Sequence, residues 1–204
     1  MQDDEARQAL LLALRVKGAA DSSQLRSATC TDESECERII ASLTAQGLIR
    51  KHERLRKYLL TSAGNEAVSS QLEKERQVIG LVQLEELYGR FLVLDAEFKA
   101  LAGAWQVRSP GPPPLFNDHS DSRYDQRIVN NLVRVHHRLR ALLESLGKQR
   151  QRYNAYLARL ANSLNRLCDG SLDHFTNPRV DSYHNIWFEL HEDLLCTLGR
   201  QRSE

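Results

Sequence analysis

The sequence predicts a mainly α-helical protein with one small β-hairpin near its amino-terminal end and a helical domain behind it. Three observations carry that expectation. Apolar residues recur at three- and four-residue spacing along nearly the whole chain. The exception is the segment 47–61, where two short apolar runs flank a charged turn and read as a hairpin. Proline and glycine punctuate the rest. Pro110, Pro112, Pro113 and Pro114 stand close together and cannot continue a helix, so they predict an extended, solvated connection.

Taken in order, helices are expected over about 5–17, 22–28 and 32–46, then the hairpin, then helices over about 65–79, 81–106, 122–147, 149–168 and 182–199. The second helix is short and polar-faced. The third begins at Thr31 or Asp32, both good N-cap types, and ends at Gly47, where a glycine C′ is favoured. Its Cys36, Ile39, Ile40 and Leu43 fall at i, i+3, i+4 and i+7, a single apolar stripe. The helix over 65–79, with Val68, Leu72 and Ile79, would join the amino-terminal elements to the rest. A second break surrounds Gly170 and Pro178. Beyond it, Asp181 or Ser182 is expected to cap the last helix.

Composition removes several classes. The 204 residues hold 28 Lys and Arg against 27 Asp and Glu, a net charge of +1. That balance excludes a histone-like polycation and an acidic tail protein, but a sum says nothing about local patches. With 41% apolar and 27% charged residues the chain is too apolar for disorder. Its length suits one domain or two small ones. No apolar run approaches the roughly 18 residues of a membrane span. The start, Met1-Gln2-Asp3-Asp4-Glu5, lacks the basic and apolar regions of a signal peptide. Cys30, Cys36, Cys168 and Cys196 form no CxxC pair and read as free thiols. A cytoplasmic protein without a membrane partner is expected.

Three helices followed by a basic hairpin is the order of a winged helix-turn-helix. The stretch Ile39-Ile40-Ala41-Ser42-Leu43-Thr44-Ala45-Gln46-Gly47-Leu48-Ile49-Arg50, followed by Tyr58-Leu59-Leu60-Thr61-Ser62-Ala63-Gly64, resembles the MarR and PadR types of bacterial regulator. Those families share an L-x-x-x-G-L-I helix-to-strand junction and an L-T-x-x-G exit into the next helix. The resemblance covers about residues 5–68. It implies a homodimer that binds double-stranded DNA at a palindromic operator. The expected organisation is a winged helix-turn-helix with a small β-hairpin wing over 1–68, and an α-helical bundle domain over 69–204 for dimerisation and effector sensing.

Charge fits half of this picture. From Arg50 to Lys57 five basic residues stand against Glu53, a local net of +4, which suits a wing against phosphates or in the minor groove. The wing candidates are Arg50, Lys51, Arg54, Arg56 and Lys57. The third helix departs from expectation. Asp32, Glu33, Glu35 and Glu37 oppose only Arg38, a local net of −3. Acids favour a helix N-terminus and can accept from cytosine, but several facing DNA would repel phosphates. Arg26, Ser34, Arg38 and Ser42 are the remaining candidate contacts. The alternative is a winged helix kept as a protein-interaction module.

In the second half, helical wheels place ionisable groups on apolar faces. Asp95 lies in the arc of Leu84, Leu87, Tyr88, Phe91, Leu94 and Phe98. Asp125 and His136 lie in the arc of Ile128, Leu132, Val135 and Leu139, and His184 and His191 in the arc of Ile186, Trp187 and Leu190. The stripe Tyr153, Tyr156, Leu157, Leu160, Leu164 and Leu167 is clean by contrast, with Arg159, Asn162 and Arg166 outside it. Buried charges must be paired or ligated. The five inward groups either satisfy one another within the core or line a pocket for a small-molecule effector or a divalent metal. No HExxH or paired ExxH spacing supports a metal, and no cofactor is otherwise implied. Around Asp118, His119 and Asp121 the choice is between turn chemistry, with Ser122 and Asp125 spaced as a capping box, and a roof over such a pocket. No phosphate loop, GxSxG or assigned Cys–His pair points to an enzyme. The expected function is a ligand-responsive transcriptional regulator. The alternative is a metal- or small-molecule-binding helical protein whose winged helix contacts another protein.

Overall fold

The computed structural model describes residues 2–200. Helices dominate, and the hairpin of the first third is the antiparallel pair β1 (Ile49–His52) and β2 (Lys57–Leu60), in register from Ile49 opposite Leu60 to His52 opposite Lys57. Before it stand α1 (Gln2–Lys17), α2 (Ser22–Thr29) and α3 (Glu33–Ala45). Asp21 opens α2 with a reciprocal capping box: its carboxylate accepts from the Gln24 amide and the Gln24 side chain accepts from the Asp21 amide. Asp32 caps α3, accepting from the Glu35 amide at 2.8 Å.

The two junctions of the resemblance have definite physical causes. After α3, Gly47 takes φ +69°, and the Gly47 and Leu48 amides donate to the Thr44 and Leu43 carbonyls. That is a Schellman closure, in which glycine avoids the Cβ penalty of the left-handed region. At the exit from β2, Thr61 caps α4 (Ser62–Ile79) by accepting from the Gly64 amide, and its hydroxyl donates to the Gly47 carbonyl at 2.7 Å. A Cβ on Gly64 would lie 2.0 Å from the Leu48 carbonyl oxygen, so only glycine lets α4 start against the junction. One further pairing was not legible in the pattern. Ala20, between α1 and α2, exchanges both backbone hydrogen bonds with Tyr58 of β2, at 3.1 and 2.7 Å, and ties the hairpin to the helices.

Behind α4 come α5 (Leu81–Gln106), α6 (Ser122–Gly147), α7 (Arg152–Cys168) and α9 (Tyr183–Leu198), with the short α8 (Asp173–Thr176) in the break before α9. The proline-rich segment is not a plain extended connection. It is the tip of a small hairpin, β3 (Val107–Ser109) with β4 (Leu115–Phe116). The buried apolar side chains form two clusters. One joins α1, α2, α3 and β1 and includes Val68 and Leu72 of α4. The other is built from α5, α6, α7, α8 and α9 and includes Ile79 of α4. α4 thus contributes to both.

Two expectations are corrected. Ser122 and Asp125 do not form a capping box: Asp121 is the N-cap of α6, accepting from the Arg123 and Tyr124 amides, which leaves Asp125 to point inward. Ser182, accepting from the Asn185 amide, caps α9. Arg159 does not lie on a solvated face. It is 6% exposed, because α7 packs against α6, α9 and α2 and Asp181 and Glu189 close around its guanidinium.

Candidate functional site

The cationic hairpin projects its charges outward. Arg50 and Lys51 on β1 and Arg54 and Arg56 in the turn are exposed, and Lys57 on β2 is half-buried. The turn is closed by the Leu55 amide donating to His52 Nδ1 and the Arg56 amide donating to the Glu53 carbonyl, with Arg56 at φ +53°. Between this hairpin and the start of α2 lies an open cleft of about 440 Å³, lined by Asp21, Ser22, Ser23, Lys51, Leu55, Arg56 and Tyr58. The first amides of a helix lack intrahelical partners, and Asp21 occupies that of Gln24. The cleft therefore combines helix N-terminal donors with two cations, a combination that suits a phosphate-sized anion.

The remaining candidates, on α2 and α3, differ in their engagement. Arg26 is held by Glu33 at 3.2 Å, an exposed pair that joins α2 to α3. Ser34 and Arg38 are exposed on α3. Ser42 is occupied within the fold: its hydroxyl accepts from the Arg7 guanidinium at 3.0 Å and from Gln46 at 3.1 Å. Glu37 is exposed beside Arg38, so the acidic character of α3 reaches the surface.

The five inward ionisable groups do not meet at one point. Asp95 accepts from Trp187 Nε1 and from Lys99, each at 2.8 Å, with His191 Nδ1 3.7 Å away. His191 Nε2 lies 3.1 Å from the Tyr88 hydroxyl. Asp125 accepts from the Asn117 amide at 2.7 Å and pairs with His119 at 2.9 Å, whose ring lies over Trp105. His136 shares a hydrogen bond with the Tyr183 hydroxyl at 3.1 Å; burial lowers its pKa, and His137 and Arg140 push it the same way. The half-buried His184 ring sits against Phe98 and Phe188. Asp118 is occupied by Ser120, and Asp121 by Arg108. Among the described residues no group of three or more His, Cys, Asp or Glu is placed to hold a metal ion.

A second polar assembly was missed in the sequence, and it joins the two clusters. Arg159 of α7 donates to both oxygens of Asp181, at 2.9 and 2.6 Å, and pairs with Glu189 of α9 at 2.8 Å. Asp181 also accepts from Ser27 of α2 at 2.7 Å, and Glu189 pairs with Lys17 of α1. Burial alone would raise the Asp181 pKa, but the Arg159 hydrogen bond and charge, with Ser27 and Lys17, bring it below the ordinary carboxylate value. Alongside, Arg152 pairs with Glu75 of α4 at 2.7 Å and with Asp193 of α9 at 3.0 Å, and donates to Thr197 at 2.9 Å. A void of about 10 Å³ beside Arg152, Tyr156 and Glu189 is the size of a single water.

The chain matches no family model, no curated protein and no solved structure. No helix among the described residues is long and apolar enough to cross a membrane.

Proposed function

We propose that the protein is a DNA-binding transcriptional regulator whose amino-terminal third acts as a winged helix-turn-helix of MarR/PadR-like type, carried on a helical bundle. The observation that carries this reading is the cleft where Lys51 and Arg56 of the hairpin face the start of α2 at Ser22 and Ser23. Helix N-termini and clustered cations are the usual partners of backbone phosphates, and such contacts fix a protein on a duplex without reading sequence. The exposed Arg50 and Arg54 extend the same surface. The turn at Gly47, the close approach of Gly64 to Leu48 and the Ala20–Tyr58 pairing hold the hairpin rigidly beside the helices, which a positioning element requires.

One observation favours a second reading. Glu33 and Glu37 are exposed on α3, the helix that would enter the major groove, and Glu33 occupies Arg26. An acidic α3 suits a basic protein partner better than a phosphate backbone. A gel-shift titration of the full chain against pooled genomic duplex fragments at several salt concentrations separates the two. The DNA reading expects salt-dependent binding, and the Arg54→Ala/Arg56→Ala variant reduces the slope of log K against log salt by about 2. Absence of any shift at low salt overturns it.

A further inference from the structure

We propose that the solvent face of α6 is a second nucleic-acid-binding surface, which grips the phosphate backbone of a duplex separately from the amino-terminal hairpin. Arg123, Arg127, Arg134 and Arg138 are all exposed on α6. At 3.6 residues per turn they share an arc of about 60°, opposite the buried stripe of Ile128, Leu132, Leu139 and Leu143. From Arg123 to Arg138 the stripe runs about 22 Å, over which one strand of a duplex places about six phosphates. No carboxylate of α6 enters this arc. Asp125 is buried and paired with His119, and Glu144 pairs with Arg140 at 2.7 Å. Arg138 shares an exposed pair with Glu97 of α5, also at 2.7 Å. Among the described residues no carboxylate takes up Arg123, Arg127 or Arg134.

The placement of these arginines against the helix's own electrostatics is an independent observation. Arg123 with Arg127, and Arg134 with Arg138, are i,i+4 pairs of like charge, which destabilise a helix. Arg123 also stands in the first turn, at the positive end of the helix dipole, where acids are favoured. A face that served solubility alone would interleave both signs. Arg127 lies over the half-buried Tyr124 ring at 5.7 Å, and Arg108, which pairs with Asp121, covers the same ring at 4.5 Å.

The chemistry of the face selects a nucleic acid over a membrane or an acidic protein. All four cations of the stripe are arginine, whose planar fork meets a phosphate with two parallel hydrogen bonds. Gln126, Asn130 and Asn131 stand among them as exposed amides, bonded to one another and to Arg134, and such groups serve phosphate and sugar oxygens. None of the exposed large apolar side chains lies on α6. A helix lying on lipid needs apolar anchors, and a protein interface needs an apolar core. A phosphate backbone needs neither, because its affinity comes from released counterions. This surface does not rest on the reading of the first hairpin. α6 packs on α5 and α7, and its apolar residues belong to a different cluster from those of α2 and β1.

Fluorescence anisotropy of a labelled duplex of mixed sequence, titrated with the full chain over a salt series, tests the surface. The Arg54→Ala/Arg56→Ala chain is the starting point, so that the share of the first hairpin is already reduced. It is expected to keep salt-dependent binding. Adding Arg127→Ala/Arg134→Ala weakens binding at least about tenfold at low salt and lowers the slope of log K against log salt by about 2. Arg127→Lys/Arg134→Lys in the same background keeps most of the binding, because lysine retains the charge. Polyglutamate at equal charge concentration leaves the duplex bound. The proposal is overturned if the alanine pair leaves affinity and slope unchanged, or if the lysine pair loses as much as the alanine pair. It is also overturned if polyglutamate displaces the duplex, the mark of an acidic protein partner. Failure of the first hairpin's DNA reading shows elsewhere, as equal binding by the native chain and the Arg54→Ala/Arg56→Ala chain.

Discussion

A single glycine governs the junction where α4 starts against the hairpin. Gly64 lies against the Leu48 carbonyl, and the 2.0 Å approach of an added Cβ cannot be relieved by a flexible side chain because the obstacle is backbone. Gly64→Ala is expected to destabilise the protein by about 3 kcal/mol, read as a lower midpoint in urea with an unchanged slope. An equal or raised midpoint would contradict this packing. His136 supplies a pH dependence. Its pKa is lowered in the folded chain from the ordinary 6.5, so protonation favours the unfolded state. The associated stability is complete above 6.5 and is lost as pH falls through the lower folded value. The melting temperature should therefore fall between pH 7 and pH 5 in the native chain, with a shallower fall in His136→Gln. Inward placement of Asp95, Asp125, His136 and His191 was legible on helical wheels, because one ionisable group in an apolar arc is conspicuous. Their partners were not, since Trp187, Asn117 and Tyr183 come from segments distant in sequence. Glu75 and Asp193 carry the same signal: Glu75 is in phase with Val68, Leu72 and Ile79, and Asp193 with Ile186 and Leu190.

At the scale of elements, long helices declare themselves by period. α5 and α6 span the ranges that spacing predicts, and α3 stops where its glycine ends it. Short elements lack enough repeats to do so. α8 has four residues, β4 has two, and the strand-like contribution of Ala20 has one. The proline run obscured the second hairpin, since proline is avoided in central strands and here stands in the tip between β3 and β4. α7 exposes a deeper limit of the pattern. A stripe rule divides a helix into one apolar and one solvated face, but α7 packs against α6, α9 and α2, and its stripe residues Tyr153 and Tyr156 reach α9. Its second face is polar and buried, so Arg159 resembled a solvent-facing residue until its partners were placed around it.

For the whole molecule, the chain Ser27–Asp181–Arg159–Glu189–Lys17 joins the helices before the hairpin to α7 and α9. Removing one partner of a buried ion pair leaves the others uncompensated. Arg159→Ala is expected to cost about 3 kcal/mol in urea denaturation and to speed amide exchange in α1 and α2 more than in α6. Uniform acceleration across both clusters would argue that the ion chain is not a specific joint. If the amino-terminal third is a reader of DNA, this joint means that it does not swing on a free tether. Any signal from the helical half would have to shift α7 or α9 as a body, or break the contacts at Asp181 and Glu189.

The shared membership of α4 has a practical corollary for anyone who wishes to cut the molecule apart. Val68 and Leu72 belong to one apolar cluster, Ile79 to the other, and Glu75 between them is claimed by Arg152 of α7. A cassette that ends near residue 68 would carry away half of a helix and leave its carboxylate's partner stranded. Grafting this amino-terminal third onto a foreign carrier thus calls for a redesigned seam along α4, α7 and α9, because the native one is written in residues from both sides.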